Sequence, residues 1–296
     1  MKKALGIAVS VVAIAAVFAV HFYLDVRRTR MAAAAEKAQY IARLERLGIA
    51  SDGTEDFFSL PPTIPADQNA AALGAVLFRE KRLATPKMRS CQSCHPLNTG
   101  GIDGKMHGGV LTWPVLNAGF AEVFLHDGSV TGLTPLVERM ITGPSFGGGT
   151  NLALSAAWLG SDIKFAYRFK KKYEDGVTVT NILDALTEYV KTLVTSNGDF
   201  DRYCAGNKDA LTDEQVRGMG IFRERGCTGC HDGPVLGAWK VVEGRKVPAL
   251  RGVSGRKVYG AGGLRNDLGA VLPFMPGGDI ESAKERLALL AFLRAL

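Results

Sequence analysis

Two copies of one five-residue motif are the part of this sequence best suited to chemistry. The first is Cys91-x-x-Cys94-His95 and the second is Cys227-x-x-Cys230-His231. In such a motif the two thiols can add to the vinyl groups of one haem, and the adjacent histidine can ligate its iron. A four-cysteine zinc site would usually bring its pairs within a few tens of residues, and a dithiol centre needs no following histidine. The sequence therefore predicts two covalently bound haem c groups, attached at Cys91, Cys94, Cys227 and Cys230 and ligated by His95 and His231.

The rest of the composition is that of a globular protein with no obvious nucleic-acid partner. Of the 296 residues, 47% are hydrophobic and 22% are charged, which leaves room for two domains and a tail. The formal charge of +7 would be offset by the propionates of two haems, so we expect no nucleic-acid binding. Cys204 is the cysteine outside the motifs, and it is interpreted as a small buried hydrophobe, with a reactive thiol as the alternative.

The N-terminus predicts a membrane anchor. Lys2 and Lys3 precede an apolar run over 4–24, which reaches the ~20 residues that a helix needs to cross a bilayer. We therefore expect an uncleaved signal anchor over 1–30, with a cleaved signal peptide and a soluble periplasmic protein as the alternative. The arginines that follow the run would favour the cytoplasm by the positive-inside rule. Because bacterial haem attachment takes place outside the cytoplasmic membrane, we instead place the haem domains at the periplasmic face of the inner membrane.

The order of predicted elements repeats. A helical stalk and linker cover 31–66, with Gly48 ending the stalk helix. A helix through Ala70–Phe78 leads to the first motif, 98–109 is a predicted loop, and a helix over 181–194 follows. After a polar crossing segment over 199–211, Thr212 caps a helix that leads to the second motif, and a helix from Glu281 closes the chain. We find no pattern that predicts a sheet. The sequence thus predicts a mainly α protein with two tandem cytochrome c-like domains, 67–198 and 199–296.

From about Leu73 to its end the chain resembles the bacterial di-haem cytochrome c peroxidase family. The resemblance rests on the order of the two motifs together with these stretches: Leu73-Gly74-x-x-Leu77-Phe78, Gly100–Gly104, Val115–Phe120, Asp127-Gly128, Phe200-Asp201 and Lys246–Arg251. Members reduce hydrogen peroxide to water with electrons from a small cytochrome c or a cupredoxin. The resemblance implies that electrons enter at the C-terminal haem, which has a His/Met ligand pair and a high potential, and are used at the N-terminal haem. A homodimer is an option that it leaves open.

The resemblance also implies two further iron ligands. Met275 lies in a proline-bracketed loop over 272–277 and is predicted as the sixth ligand of the C-terminal haem; a core-filling methionine is the alternative. His107, in the glycine-rich stretch 105–109, is predicted as the distal ligand or distal base of the N-terminal haem. An exposed loop histidine, or ligation by Met106 instead, is the alternative there.

Three features depart from the family pattern. The family's distal glutamate, which moves the protons of peroxide, has no counterpart within 142–147. Glu138 is the substitute that we consider, with an ordinary surface glutamate as the alternative. His126 stands where the family has a tryptophan between the haems; a satisfied polar side chain is its expected role, and a carrier of a hydrogen bond or a proton is the alternative. Leu111 and Ala249 replace the residues associated with an inter-haem calcium, which argues against calcium.

These features support a peroxidase-type oxidoreductase over two other functions. A non-catalytic di-haem electron-transfer cytochrome is the main alternative, because the distal acid–base residue is missing. A maturase like that of methylamine dehydrogenase is the third. That relative has a tyrosine where this chain has Met275, which argues against it.

Overall fold

A computed structural model of the chain describes residues 2–51, 55–84, 89–107, 110–144, 149–259 and 265–296, without the side chains of 2–23 and 110. The described part is mainly helical, as predicted. Its α-helices are α1 Lys2–Arg46, α2 Gln68–Leu77, α3 Cys91–Cys94, α4 Leu133–Thr142, α5 Leu152–Ser161, α6 Ile163–Lys170, α7 Val179–Lys191, α8 Asp199–Cys204, α9 Asp213–Glu224 and α10 Ala283–Ala295. Short 3₁₀ segments join several of them.

The chain forms two compact units. The first comprises residues 1–46 and 50–55, and it consists mostly of α1. The predicted anchor and stalk are one continuous helix, and Gly48 follows its end with a φ of 78° that suits glycine. The side chains of the predicted membrane span lie outside the described residues, except at Leu24. Within the described residues, we find no helix with the length and apolar character that a membrane crossing requires.

The second unit comprises residues 47–49 and 56–296 and contains two separate hydrophobic clusters. The first cluster is built from α2, α4, α5, α6 and α7, and its fully buried members include Leu77, Phe169 and Ile182. The second is built from α8, α9 and α10 and also takes in Phe57 from the linker. Apart from Phe57, the clusters lie on either side of residue 198 in sequence, and the domain boundary itself stays a prediction.

One helix crossing occurs in both halves of this unit. Gly74 of α2 lies against Ala185 and Tyr189 of α7, and a Cβ at Gly74 would overlap the Ala185 carbonyl and lie 2.6 Å from Tyr189 Cβ. Gly218 of α9 lies in the same way against α10, where an added Cβ would overlap the Ala288 carbonyl and lie 2.8 Å from Phe292 Cβ. The absence of a side chain at both glycines lets the two backbones approach closely.

An aromatic pair completes each crossing one helical turn later. Phe78 meets Tyr189 edge-on with 5.3 Å between the ring centroids, and Phe222 meets Phe292 with 5.5 Å. Both phenylalanines are 2% exposed. In both halves, therefore, a glycine and a phenylalanine four residues apart contact two residues that are also four apart on the partner helix. This repeated contact explains why the predicted order of helix, motif and closing helix occurs twice.

The structure corrects the prediction for 199–211. This segment is not a polar crossing: Asp199–Cys204 forms α8, and Phe200 and Asp201 are 1% and 2% exposed. The buried aspartate forms an ion pair with the equally buried Arg251. Sequence polarity suggested a surface segment because an aspartate is rarely buried unless it is paired with a cation elsewhere in the chain.

The expectation that no sheet forms was also incomplete. Three antiparallel pairs of two-residue strands are present, namely β1 Met106–His107 with β2 Val110–Leu111, β3 Val123–Phe124 with β4 Val130–Thr131, and β5 Val241–Val242 with β6 Arg245–Lys246. Two residues are too few for an alternating pattern to be visible in sequence. Consequently part of the loop predicted over 98–109 is a strand. In α10 the apolar side chain of Leu287 is 59% exposed.

The helix crossing can be tested with two glycines of the same helix. We expect Gly218→Ala to destabilise the protein by about 1–3 kcal/mol, because the added methyl overlaps α10. Gly220→Ala is the matched control, since nothing lies within 4 Å of its added Cβ; it should be neutral or stabilising by up to about 1 kcal/mol. Urea unfolding of both variants measures this. Equal stabilities would show that the crossing does not require glycine.

Candidate haem sites

The first motif is one helical turn attached to the end of α2. The His95 N–H donates to the Cys91 carbonyl over 2.9 Å, which closes α3, and the Gln92 N–H donates to the Phe78 carbonyl over 3.1 Å. The second bond links the motif directly to the helix that carries Gly74. The crossing of α2 and α7 therefore fixes where the two thiols of the first motif lie.

The ring of His95 is oriented for metal ligation. Its Nδ1 lies 3.1 Å from the Gly101 carbonyl, and because a carbonyl only accepts, Nδ1 must carry the proton. Nε2 then keeps its lone pair. Burial lowers the pKa of His95, so the neutral imidazole that binds a metal is favoured.

The second motif repeats this arrangement. Cys227–Gly229 is a 3₁₀ turn, and the His231 N–H donates to the Cys227 carbonyl over 2.9 Å. Nδ1 of His231 donates to the Leu236 carbonyl over 3.0 Å, and burial lowers the pKa of this histidine too. In both motifs a backbone carbonyl thus leaves Nε2 free for a metal, an arrangement typical of ligating histidines.

The cysteines of both motifs are free thiols. Burial raises the pKa of Cys91 to about 11 and raises that of Cys227 as well. No two of the five cysteines are joined, and Cys204 packs against the second hydrophobic cluster, as expected for a small hydrophobe. The four motif thiols are therefore available for attachment to haem vinyl groups.

A large cavity contains the side chains of the first motif. Cys91, Cys94 and His95 line it together with apolar residues such as Phe78, Val137 and Leu186. The C-terminal half contributes to its wall as well, through Ala249 and the cationic side chains of Lys246, Arg251 and Arg256. An apolar cavity with two thiols, an imidazole and a group of cations fits a haem, which is an apolar macrocycle with two carboxylates.

His107 lies beside the first motif. It ends β1 and lines the cavity, and its Nε2 lies 2.7 Å from Oδ2 of Asp103. One ligand atom each from Cys94, Asp103 and His107 fall within 4.8 Å of one another. The neighbouring Met106 is 50% exposed and is not among the residues that line the cavity. This arrangement brings the predicted distal histidine to the cavity of the first motif, and its role as an iron ligand stays a prediction.

Met275 lies at the end of a 3₁₀ segment, Gly269–Phe274, and is 38% exposed. The loop after it is closely packed. Gly277, with a φ of 73°, lies so close to the Arg225 carbonyl that an added Cβ would overlap it. Arg225 precedes Cys227 by two residues, so this contact places the methionine loop against the chain that leads into the second motif.

The other predicted residues lie as follows. Glu138 is on the exposed face of α4 and is not among the residues that line the cavity. His126 lines the cavity, and its Nε2 accepts a hydrogen bond of 3.0 Å from the indole N–H of Trp113. Burial, and then the charge of Lys246, lowers the pKa of His126. It is thus a satisfied polar side chain, as expected, and the partner tryptophan was not foreseen. Residues 145–148, part of the stretch searched for a distal glutamate, lie outside the described residues.

The positions connected with calcium do not suit that ion. Leu111 and Ala249 both line the cavity, and neither side chain contains an oxygen. The Ala249 carbonyl accepts a hydrogen bond of 2.7 Å from Arg256. The cationic side chain of Lys246 is also on the wall, and a divalent cation would be repelled there. Sequence reasoning quoted Lys246–Arg251 only as a similarity and missed these cations.

The fold and the two motifs define a di-haem c-type cytochrome. A family model for the di-haem cytochrome c peroxidases matches residues 68–209. This match and the curated relatives described next support the assignment of the chain to the di-haem cytochrome c peroxidase family. That family implies haem c cofactors.

Two curated relatives are peroxidases by name. The chain is 31% identical over 191 residues to cytochrome c peroxidase Ccp of Escherichia coli (strain K12), covering 60% of this chain and 40% of the relative. It is 32% identical over 182 residues to cytochrome c551 peroxidase of Nitrosomonas europaea, covering 58% and 54%. The matched region thus spans about half the length of these curated relatives.

A solved structure supports the fold. A MauG-like protein associated with microbial copper homeostasis superposes with a TM-score of 0.66 at 19% identity, over 80% of this chain and 93% of that one. At this identity the likeness concerns the fold alone.

Proposed function

We propose that this protein is a di-haem peroxidase that reduces hydrogen peroxide to water with electrons from a small redox protein, either a cytochrome c or a cupredoxin. The observation that carries the proposal is the cavity of the first motif, which combines the two thiols and His95 with a second histidine, His107. Haem covalently bound at each motif would supply the change of redox state and an iron site for peroxide. The family match and the names of the curated relatives point in the same direction.

The residues of the chain have separate roles in this proposal. Cys91, Cys94, Cys227 and Cys230 attach the cofactors, and His95 and His231 hold the irons. Met275 would provide a soft sulfur ligand to a haem at the second site, which would raise the potential there and suit the side that receives electrons. His107 lies by the first site, where Asp103 keeps its ring in place and peroxide is used.

A half-buried polar pair, Trp113 and His126, lines the cavity of the first motif. Trp113 and His126 are joined by a hydrogen bond and meet edge-on, with 5.0 Å between ring centroids. The Lys246 N–H donates to the His126 carbonyl over 2.8 Å, which attaches this pair to the C-terminal half. Packed contact of this kind supports electron passage from the second motif to the first.

A non-catalytic electron-transfer cytochrome is the second candidate. The exposed position of Glu138 favours it, since a carboxylate outside the cavity cannot move the protons of bound peroxide. Proton movement in the peroxidase must then be carried out by His107 or by water. The two candidates share the same cofactors and differ only in turnover.

Peroxide turnover distinguishes the peroxidase from the electron-transfer cytochrome. With the purified protein reduced by a single equivalent, we expect added peroxide to oxidise a reduced small cytochrome well above the rate of free haem. The double variant Cys91→Ala/Cys94→Ala should abolish this turnover, while the second haem should still accept electrons. Electron acceptance without turnover above the free-haem rate in the unmodified protein would instead establish the electron-transfer function.

Axial ligation can be tested with two variants and one control. We expect Met275→Leu to lower the potential of one haem by a part of the ~0.8 V range that axial ligands span. His107→Ala should change the spin state of the other haem in absorption and EPR spectra. Met106→Leu, beside His107 and exposed, should leave both unchanged. A response to Met106→Leu alone would assign the distal ligand to that residue.

We further propose that residues 1–30 tether the protein to the periplasmic face of the inner membrane, which the apolar run and the haem motifs support. Alkaline phosphatase fused to the C-terminus should then be active, and carbonate washing should leave the protein in the membrane fraction. Release by carbonate would favour a cleaved, soluble form. An inactive phosphatase fusion would contradict the periplasmic location.

A further inference from the structure

Three cationic side chains of the C-terminal half line the cavity that contains the first motif. They are Lys246, Arg251 and Arg256. Arg251 is only 5% exposed, and its side chain and that of Arg256 contain buried nitrogen atoms that lack a hydrogen-bond partner. Buried donors are nearly always paired in folded proteins, so these unpaired donors indicate a ligand.

The charge of Arg251 is balanced by Asp201, but two of its nitrogen donors have no hydrogen-bond partner. One terminal nitrogen binds the carboxylate of Asp201, and the guanidinium lies 4.9 Å from the centre of the Phe200 ring. Asp201 also accepts backbone N–H bonds from Leu60, over 2.8 Å, and from Gly198, over 3.1 Å. The remaining nitrogens of Arg251, Nε and Nη1, are buried without a partner.

Arg256 and Lys246 lack a counter-charge. Arg256 donates through Nη2 to the carbonyls of Ala249, over 2.7 Å, and of Arg251, over 3.3 Å, and its Nε is buried without a partner. Nζ of Lys246 lies 4.0 Å from the centre of the Trp113 ring. Burial lowers the pKa of Arg256 to about 10 and that of Lys246 to about 8, so both are still cations at neutral pH. Among the residues that the structure describes, neither forms an ion pair.

Two uncompensated cations on the wall of one cavity call for two negative charges. A buried cation without a partner is strongly destabilising, and a carboxylate is an anion whose two oxygens match the fork of a guanidinium. A haem brings two such carboxylates, its propionates. The haem of the proposed function would therefore supply both the number and the geometry of the missing anions.

We infer that Lys246, Arg251 and Arg256 form a cationic site for the propionate carboxylates of a haem, at the place where the family resemblance would put calcium. The Ala249 carbonyl, at one of the two positions connected with calcium, is bound by Arg256 instead. The chain thus replaces a bound metal with fixed guanidinium and ammonium charges. This inference rests on the haem binding of the proposed function, but it does not require peroxide turnover.

Reduction potentials test the site in the haem-loaded protein without peroxide. Removing a cation beside a propionate stabilises the ferric state. We therefore expect Arg256→Gln or Lys246→Met to lower the potential of one haem, changing the ratio of oxidised to reduced haem about tenfold at a fixed potential, which is about 59 mV. The control is Arg245→Gln, which removes an exposed positive charge next to Lys246 and should change the ratio less than twofold. Arg256→Lys should retain most of the wild-type potential.

Two further measurements distinguish a charge site from a structural role. The propionate bending bands in resonance Raman spectra should move in Arg256→Gln and not in Arg245→Gln. The chelator EDTA should leave both wild-type potentials unchanged, because no metal contributes. Unmoved bands together with unchanged potentials in both Arg256→Gln and Lys246→Met would overturn the inference. A potential that EDTA lowers and added calcium restores would overturn it too.

Single-haem proteins identify which propionates are bound. Cys91→Ala/Cys94→Ala keeps only the haem of the second motif, and Cys227→Ala/Cys230→Ala keeps only that of the first. A shift caused by Arg256→Gln in one of these backgrounds assigns the carboxylates to the haem that is present and supports the site. No shift in either background, at full haem content, contradicts it. If the potentials shift as expected in a protein that does not turn over peroxide, the proposed function is wrong and the propionate site is still supported.

Discussion

The close contact between two helices, made through a glycine, determines where the haem-binding motif lies in each half of this protein. In each half the helix that precedes the Cys-x-x-Cys-His motif touches the closing helix backbone to backbone, and an aromatic pair follows one turn later. The crossing fixes the direction in which the leading helix points its C-terminus. Because the motif follows that end, directly or through one hydrogen bond to Phe78, the thiols and the imidazole are placed by packing far from the chemistry.

The surroundings of this helix contact differ between the two halves. In the N-terminal half, three further helices (α4, α5 and α6) pack around the crossing, and the motif opens into a cavity that also reaches residues of the C-terminal half. In the C-terminal half the leading helix ends three residues before Cys227, and Gly277, two residues after Met275, lies against Arg225 at that junction. A cavity beside one motif and a methionine-bearing loop beside the chain that leads into the other agree with the proposed division between a reacting site and an electron-accepting site.

Local signals were enough to predict the helices next to the two motifs. The motifs, the capping of α9 at Thr212, and the apolar stripe of α7 depend on residues within a few positions of one another, and the structure agrees with each of these helices. What escaped prediction depends on distant partners. Asp201 is buried because Arg251, fifty residues later, neutralises it, and the partner of His126 is a tryptophan thirteen residues earlier. Two-residue strands carry no period at all, so none could have been proposed.

The departures from the family pattern have a common explanation in the charges of the side chains that line the cavity. Loss of oxygen-bearing side chains at Leu111 and Ala249 would leave the negative carboxylates of a haem without a cation if nothing replaced the metal. Arg256 binds the Ala249 carbonyl, and Lys246 lies against Trp113 beside His126. The altered positions thus meet at one wall of the cavity, where the chain's own cations lie. A fixed positive charge cannot be lost to chelation or dilution as a bound ion can, so the connection between the two halves would no longer depend on metal supply.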